Sequence, residues 1–165
     1  EFRDPGMRWM CGRSIGDLLY RQGRYADAID AYDALPAEAF EAAGSYAGYV
    51  GALVKEGDVE RAEELGLVWL GKARAEQADD QITWALVALG TLYKDKGAYD
   101  KALPLLKEAA ERDPDSHVPI NVAQVLAAEG KRDEAVVYLQ QVLDNPAASS
   151  YHGDARVLLD ELDGE

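Results

Sequence analysis

The stretch "ALGTLYKDKGAYDKALPLLKEAAERDP" spans residues 88–114 and decides how the chain is read. With Leu86 just before it, Leu89, Leu92 and Tyr93 fall three and four residues apart on one helical face. Beyond Gly97 a second face follows, made of Tyr99, Ala102, Leu103, Leu106 and Ala109. Asp95, Lys96, Gly97 and Ala98 form a turn between them, with Gly97 suited to a left-handed helix end. Asp113 and Pro114 stop the second helix, because a proline disfavours helical backbone in the residue before it. The stretch therefore reads as two antiparallel helices joined by a tight turn.

The same arrangement recurs. A glycine followed five residues later by an alanine occurs as Gly23 and Ala28 in "GRYADAIDAY", and as Gly57 and Ala62 in "GDVERAEELG". It occurs again as Gly97 and Ala102 in "GAYDKALPLL", and as Gly130 and Ala135 in "GKRDEAVVYL". The glycines are 34, 40 and 33 residues apart. Small residues such as Gly90 and Ala102 let two helix backbones approach closely, while Tyr93, Tyr99 and Leu106 fill the gaps beside them. One such pair cannot bury its apolar face alone, so stability comes from stacking neighbours. The extra length in the second unit is expected in a longer helix over 58–77 and a turn at Ala78, Asp79 and Asp80.

A period near 34 with a helix on each side of the glycine resembles the tetratricopeptide repeat. Leu89, Gly90, Tyr93, Gly97, Tyr99, Ala102, Leu106, Ala109 and Pro114 fall on that family's pattern. The first unit matches at Ile15, Gly16, Gly23, Tyr25, Ala28, Ile29 and Tyr32; the second and fourth are degenerate. The resemblance covers roughly residues 8 to 147 and implies an all-α, right-handed solenoid of about four helix pairs. Nine helices are expected, near 8–22, 25–35, 37–56, 58–77, 80–96, 99–112, 116–129, 132–143 and 149–162. The units run about 8–36, 37–78, 79–114 and 115–147. Residues 1–7 read as a cloning remnant and flexible N-terminus, and 148–165 as a capping helix with an acidic tail.

Composition fits this reading. Hydrophobic residues are 48% and charged residues 29% of the 165, which is globular rather than disordered. The net charge of −14 disfavours nucleic acid and anionic membranes as partners, since both need Lys and Arg against phosphate. No apolar run approaches a transmembrane length, and no signal peptide is visible, so a soluble, cytoplasmic chain is the expectation. The single cysteine, Cys11, lies in an apolar-periodic stretch and is expected to be a buried small hydrophobe.

Catalytic signatures are missing: no phosphate loop, no dinucleotide fingerprint, no HExxH or GxSxG. "DPDSH", residues 113–117, reads as a helix stop followed by Asp115 or Ser116 capping the next helix, rather than as a metal site. No enzyme, cofactor or metal is expected. The "GSYAGYVGAL" stretch, residues 44–53, places Gly44, Gly48 and Gly51 in one helix, each costing roughly 1 kcal/mol against alanine. Either close packing or a smooth patch on a binding surface would explain them.

The solenoid implied by the resemblance has a concave groove lined by the first helix of each pair. Its expected lining is Arg13, Asp17, Tyr20 and Arg21, then Gly44, Gly48, Gly51 and Lys55. Trp84, Val87, Thr91 and Lys94 follow, then Asn121 and Gln124. Tyr20 and Trp84 are the expected anchors, as large amphipathic aromatics dominate hot spots. The family's carboxylate clamp looks absent: Asp17 and Gly48 stand where its asparagines would be, and Trp84 and Ala88 where its basic residues would be. The expected function is a non-catalytic adaptor holding a protein or peptide in this groove. The alternatives are a self-assembly module, in which copies join, and a regulatory segment of a larger multidomain protein.

Overall fold

The computed structural model describes residues 5–40, 44 and 46–164, with side chains from residue 9 onward. These residues form nine α-helices and no strand. The helices are α1 (Pro5–Arg21), α2 (Tyr25–Asp33), α3 (Ala47–Glu56), α4 (Val59–Glu76) and α5 (Asp79–Asp95). Then come α6 (Tyr99–Arg112), α7 (Val118–Ala128), α8 (Arg132–Asp144) and α9 (His152–Asp163). Two 3-10 turns, Ala37–Phe40 and Pro146–Tyr151, join them. The expected cloning remnant lies largely outside the described residues.

Gly23, Gly57, Gly97 and Gly130 all sit in the left-handed region, with φ of 75°, 82°, 72° and 74°. Each ends the first helix of a pair where a side chain would be strained. Gln77 adopts the same region, φ 54°, to end α4 without a glycine. Asp58 caps the start of α4 by accepting from the Arg61 amide at 3.3 Å. Ser116 Oγ accepts from the Val118 amide at 3.3 Å at the start of α7, while the Asp115 carboxylate accepts from Asn145 Nδ2 at 2.8 Å.

The chain divides into two compact units, residues 1–88 and 89–165, with the division inside α5. In the first unit α1 and α2 approach so closely that a Cβ on Gly16 would lie 2.5 Å from Tyr32 Cε1, and one on Gly12 2.6 Å from Leu35 Cδ2. Tyr32, fully buried, stacks on Tyr49 of α3 with centroids 5.0 Å apart. Phe40 packs 5.6 Å from both Tyr46 and Tyr49. The second helix of one pair thereby covers the first helix of the next.

In the second unit, a Cβ on Gly90 would lie 2.7 Å from Leu106 Cδ2, which is why this position is small. Leu106, Leu126 and Leu139 are fully buried, each contributing about 1.5–3 kcal/mol. Helix α9 buries Ala155 and Leu162 and is tied to α8 by Arg132 Nη2 and Asp163 Oδ1 at 3.1 Å.

Two expectations are corrected. A continuous helix over 37–56 does not form: Ala37–Phe40 is a 3-10 turn and α3 starts at Ala47. Pro36 and Gly44 weaken helix there, and Phe40 and Tyr46 turn into the aromatic cluster instead. Residues 41–43 and 45 of that expected helix lie outside the described residues. Cys11 is exposed, not buried. Register explains it. Ile15 and Leu18 lie eight and five residues before their turn glycine, and are 54% and 55% exposed. The positions in the same register, Tyr49 and Ala52, Leu89 and Leu92, Val122 and Val125, are all buried. Tyr49 is covered by α2 of the preceding pair, and no described residue plays that part for α1.

Candidate functional site

In the first unit, the first helices of two successive pairs, α1 and α3, bound a cavity of about 340 Å³. It is lined by Asp17, Tyr20 and Arg21 from α1 and by Ala47 and Gly48 from α3, with Gly44 just before them. Five of these six residues were expected on the binding surface from sequence. Asp17 Oδ1 accepts from Tyr32 Oη at 2.6 Å, so Tyr32, read only as a repeat-pattern residue, holds one wall of the site. A Cβ on Gly48 would lie 2.6 Å from that same Asp17 oxygen and on top of the Tyr32 hydroxyl. One on Gly51 would lie 2.9 Å from Tyr20 Oη. Two of the three clustered glycines therefore answer to close packing. Gly44 is exposed, with Gln81 Cδ 3.8 Å from where its Cβ would be.

Burial, and then the Asp17 hydrogen bond, push the Tyr32 phenol far above its usual range. Tyr49 donates to Asp33, and Arg61 Nη2 donates to both Asp33 Oδ1 and Tyr49 Oη at 2.6 Å. Burial, followed by the Asp33 carboxylate, pushes Tyr49 up to about 12. These groups fix α2, α3 and α4 to one another. Of the other expected residues, Arg13 and Val87 are half-buried, Lys55 is exposed in the last turn of α3, and Trp84 is 54% exposed on α5.

In the second unit, Lys94 Nζ donates to Asn121 Oδ1 at 3.0 Å and to Gln124 Oε1 at 2.7 Å. Three expected residues thus form one hydrogen-bonded cluster; Thr91 is half-buried on the same helix. Asn121 and Gln124 also line a trough of about 390 Å³ between α7 and α9. Its walls are two facing stripes at helical spacing: His117, Ile120, Asn121 and Gln124 on one side, Asp154, Val157, Leu158 and Glu161 on the other. The α9 stripe was missed in the sequence because that helix reads as a cap with its polar side to water. The signal available was a valine set between two acids at three- and four-residue intervals.

Among the described residues, no group of three or more His, Cys, Asp or Glu is placed to hold a metal ion, and no helix is long and apolar enough to cross a membrane.

Stacked helix pairs turning on left-handed glycines, with surfaces built from their first helices, define a helical-repeat protein of the protein-interaction kind. Residues 93–158 match the tetratricopeptide repeat family, and the described residues have the all-α, paired-helix fold of that kind of repeat. No curated protein matches the sequence. Among solved structures, MamA from AMB-1 is 25% identical with a TM-score of 0.74, covering 94% of this chain and 87% of that one. MamA from MSR-1 is 26% identical with a TM-score of 0.69, covering 96% and 98%. TTC0263, a thermophilic repeat protein of this family in Thermus thermophilus, is 26% identical with a TM-score of 0.58, covering 93% and 80%.

Proposed function

We propose that this chain is a non-catalytic adaptor that binds a protein or peptide on the surface of its first helices. The observation that carries this reading is the cavity between α1 and α3, where Tyr20 and Arg21 stand over small Gly44 and Gly48. An aromatic and a guanidinium above a floor of small residues provide stacking, charge-assisted hydrogen bonding and room for a partner's backbone. Asp17, held by Tyr32, is pre-positioned, which lowers the entropic cost of binding. Micromolar affinity, about −8 kcal/mol, is expected for one short segment. The test is capture of partners by wild-type chain and by the Tyr20→Ala, Trp84→Ala double variant, with helical melting followed in parallel. Lost capture with an intact melt supports the reading; unchanged capture sinks it.

A second reading, a self-assembly module, is favoured by the exposed Met10, Ile15 and Leu18 on α1. Light scattering over a concentration series separates the two, since a strict monomer at every concentration rules out self-assembly.

A further inference from the structure

The trough between α7 and α9 has a chemistry of its own. Val157 is 59% exposed, and together with Leu158 and Ile120 it makes an apolar strip along the floor. Asp154 and Glu161 stand at its two ends on α9, separated by two helical turns, about 10 Å of rise. Both are exposed, and neither is ion-paired among the described residues. The opposite wall supplies amides, Asn121 and Gln124, and the charge of Lys94 is turned onto their oxygens on α7. The α9 wall thus presents a carboxylate at each end and an aliphatic strip between, while the Lys94 ammonium is held against the amides of the opposite wall.

We infer that this trough binds an extended protein segment of the pattern basic–x–aliphatic–x–basic. In an extended strand residues i, i+2 and i+4 share one face and span about 13 Å, and lysine stems take up the difference from the carboxylate spacing. The aliphatic side chain then meets Val157, Leu158 and Ile120, and the two cations meet Asp154 and Glu161. The net charge of −14 steers such a segment toward the chain. The inference rests on the adaptor reading and specifies the chemistry of one of its surfaces.

The test uses the full chain and three fluorescein-labelled nonapeptides: Gly-Ser-Lys-Ser-Leu-Ser-Lys-Ser-Gly, its counterpart with both lysines replaced by glutamate, and its counterpart with leucine replaced by serine. Anisotropy should show binding of the first peptide, and weaker binding of the other two by roughly fivefold or more. Asp154→Asn with Glu161→Gln should weaken the first peptide roughly fivefold, and amide shifts on binding should fall at Ile120, Val157 and Leu158. A circular dichroism melt confirms that the variant is folded. Equal binding of the acidic peptide, equal binding by the double variant, or shifts confined elsewhere overturns the proposal. Failure of the adaptor reading shows separately, as partner capture that is indifferent to Tyr20 and Trp84, which lie in the other unit.

Discussion

Tyr32 Oη donates to Asp17 Oδ1 at 2.6 Å, joining the second helix of the first pair to its first helix. Gly48 of the next pair lies against that bond, so one hydrogen bond fixes three helices and one wall of the candidate site.

Helix propensity alone says that Gly48→Ala should stabilise α3 by roughly 1 kcal/mol. The added Cβ would lie 2.6 Å from Asp17 Oδ1, so the opposite sign is expected: destabilisation of about 1–3 kcal/mol. Gly71→Ala is the control. Nothing lies within 4 Å of its would-be Cβ, and stabilisation of about 0.5–1 kcal/mol is expected. Urea denaturation of the two variants reads both signs; a stabilised Gly48→Ala would contradict the packing account.

Tyr49 gives the fold an alkaline limit. Its phenol is pushed up from 10 to about 12, so the folded state favours the protonated form. That contribution is fully present below pH 10 and is lost as pH rises through about 12, on the order of 2 kcal/mol. Tyr32 acts in the same direction. Thermal melts between about pH 9 and about pH 12 should fall more steeply for wild type than for Tyr49→Phe. Parallel curves would remove Tyr49 from the explanation.

Leu18 and Leu92 each lie five residues before a turn glycine, yet they are 55% and 4% exposed. Leu92→Ala should cost about 2–5 kcal/mol, and Leu18→Ala less than about 0.5 kcal/mol. Equal costs would mean that the face of α1 is covered in solution.

The paired helices were legible because two signals coincide. Four glycines mark the left-handed turns, and Gly90 and Ala102 mark close approaches; local chemistry dictates both. The start of α3 was not legible, because Phe40 and Tyr46 leave helical periodicity to join Tyr49, a tertiary choice that spacing does not report. Cys11 was misjudged for a related reason: apolar periodicity marks a face but not whether a neighbour covers it. Of the candidate site, Asp17, Tyr20, Arg21 and Gly48 were readable from their register on the first helices, whereas Gly44 lies before the start of α3. The Tyr32 hydroxyl that holds Asp17 and the Asp154–Glu161 stripe were not, since each depends on which helix faces which.

The central claim, that the first-helix surface binds a protein partner, is tested most directly by quantitative affinity capture with wild-type chain and the Tyr20→Ala, Trp84→Ala variant, beside their helical melting curves. Proteins enriched on wild type should be lost from the variant while it still melts as a folded helical protein, since Trp84 is 54% exposed and Tyr20, whose ring also packs on Gly51, lines an open cavity. Capture that survives the double substitution, or a variant that no longer folds, would contradict the account.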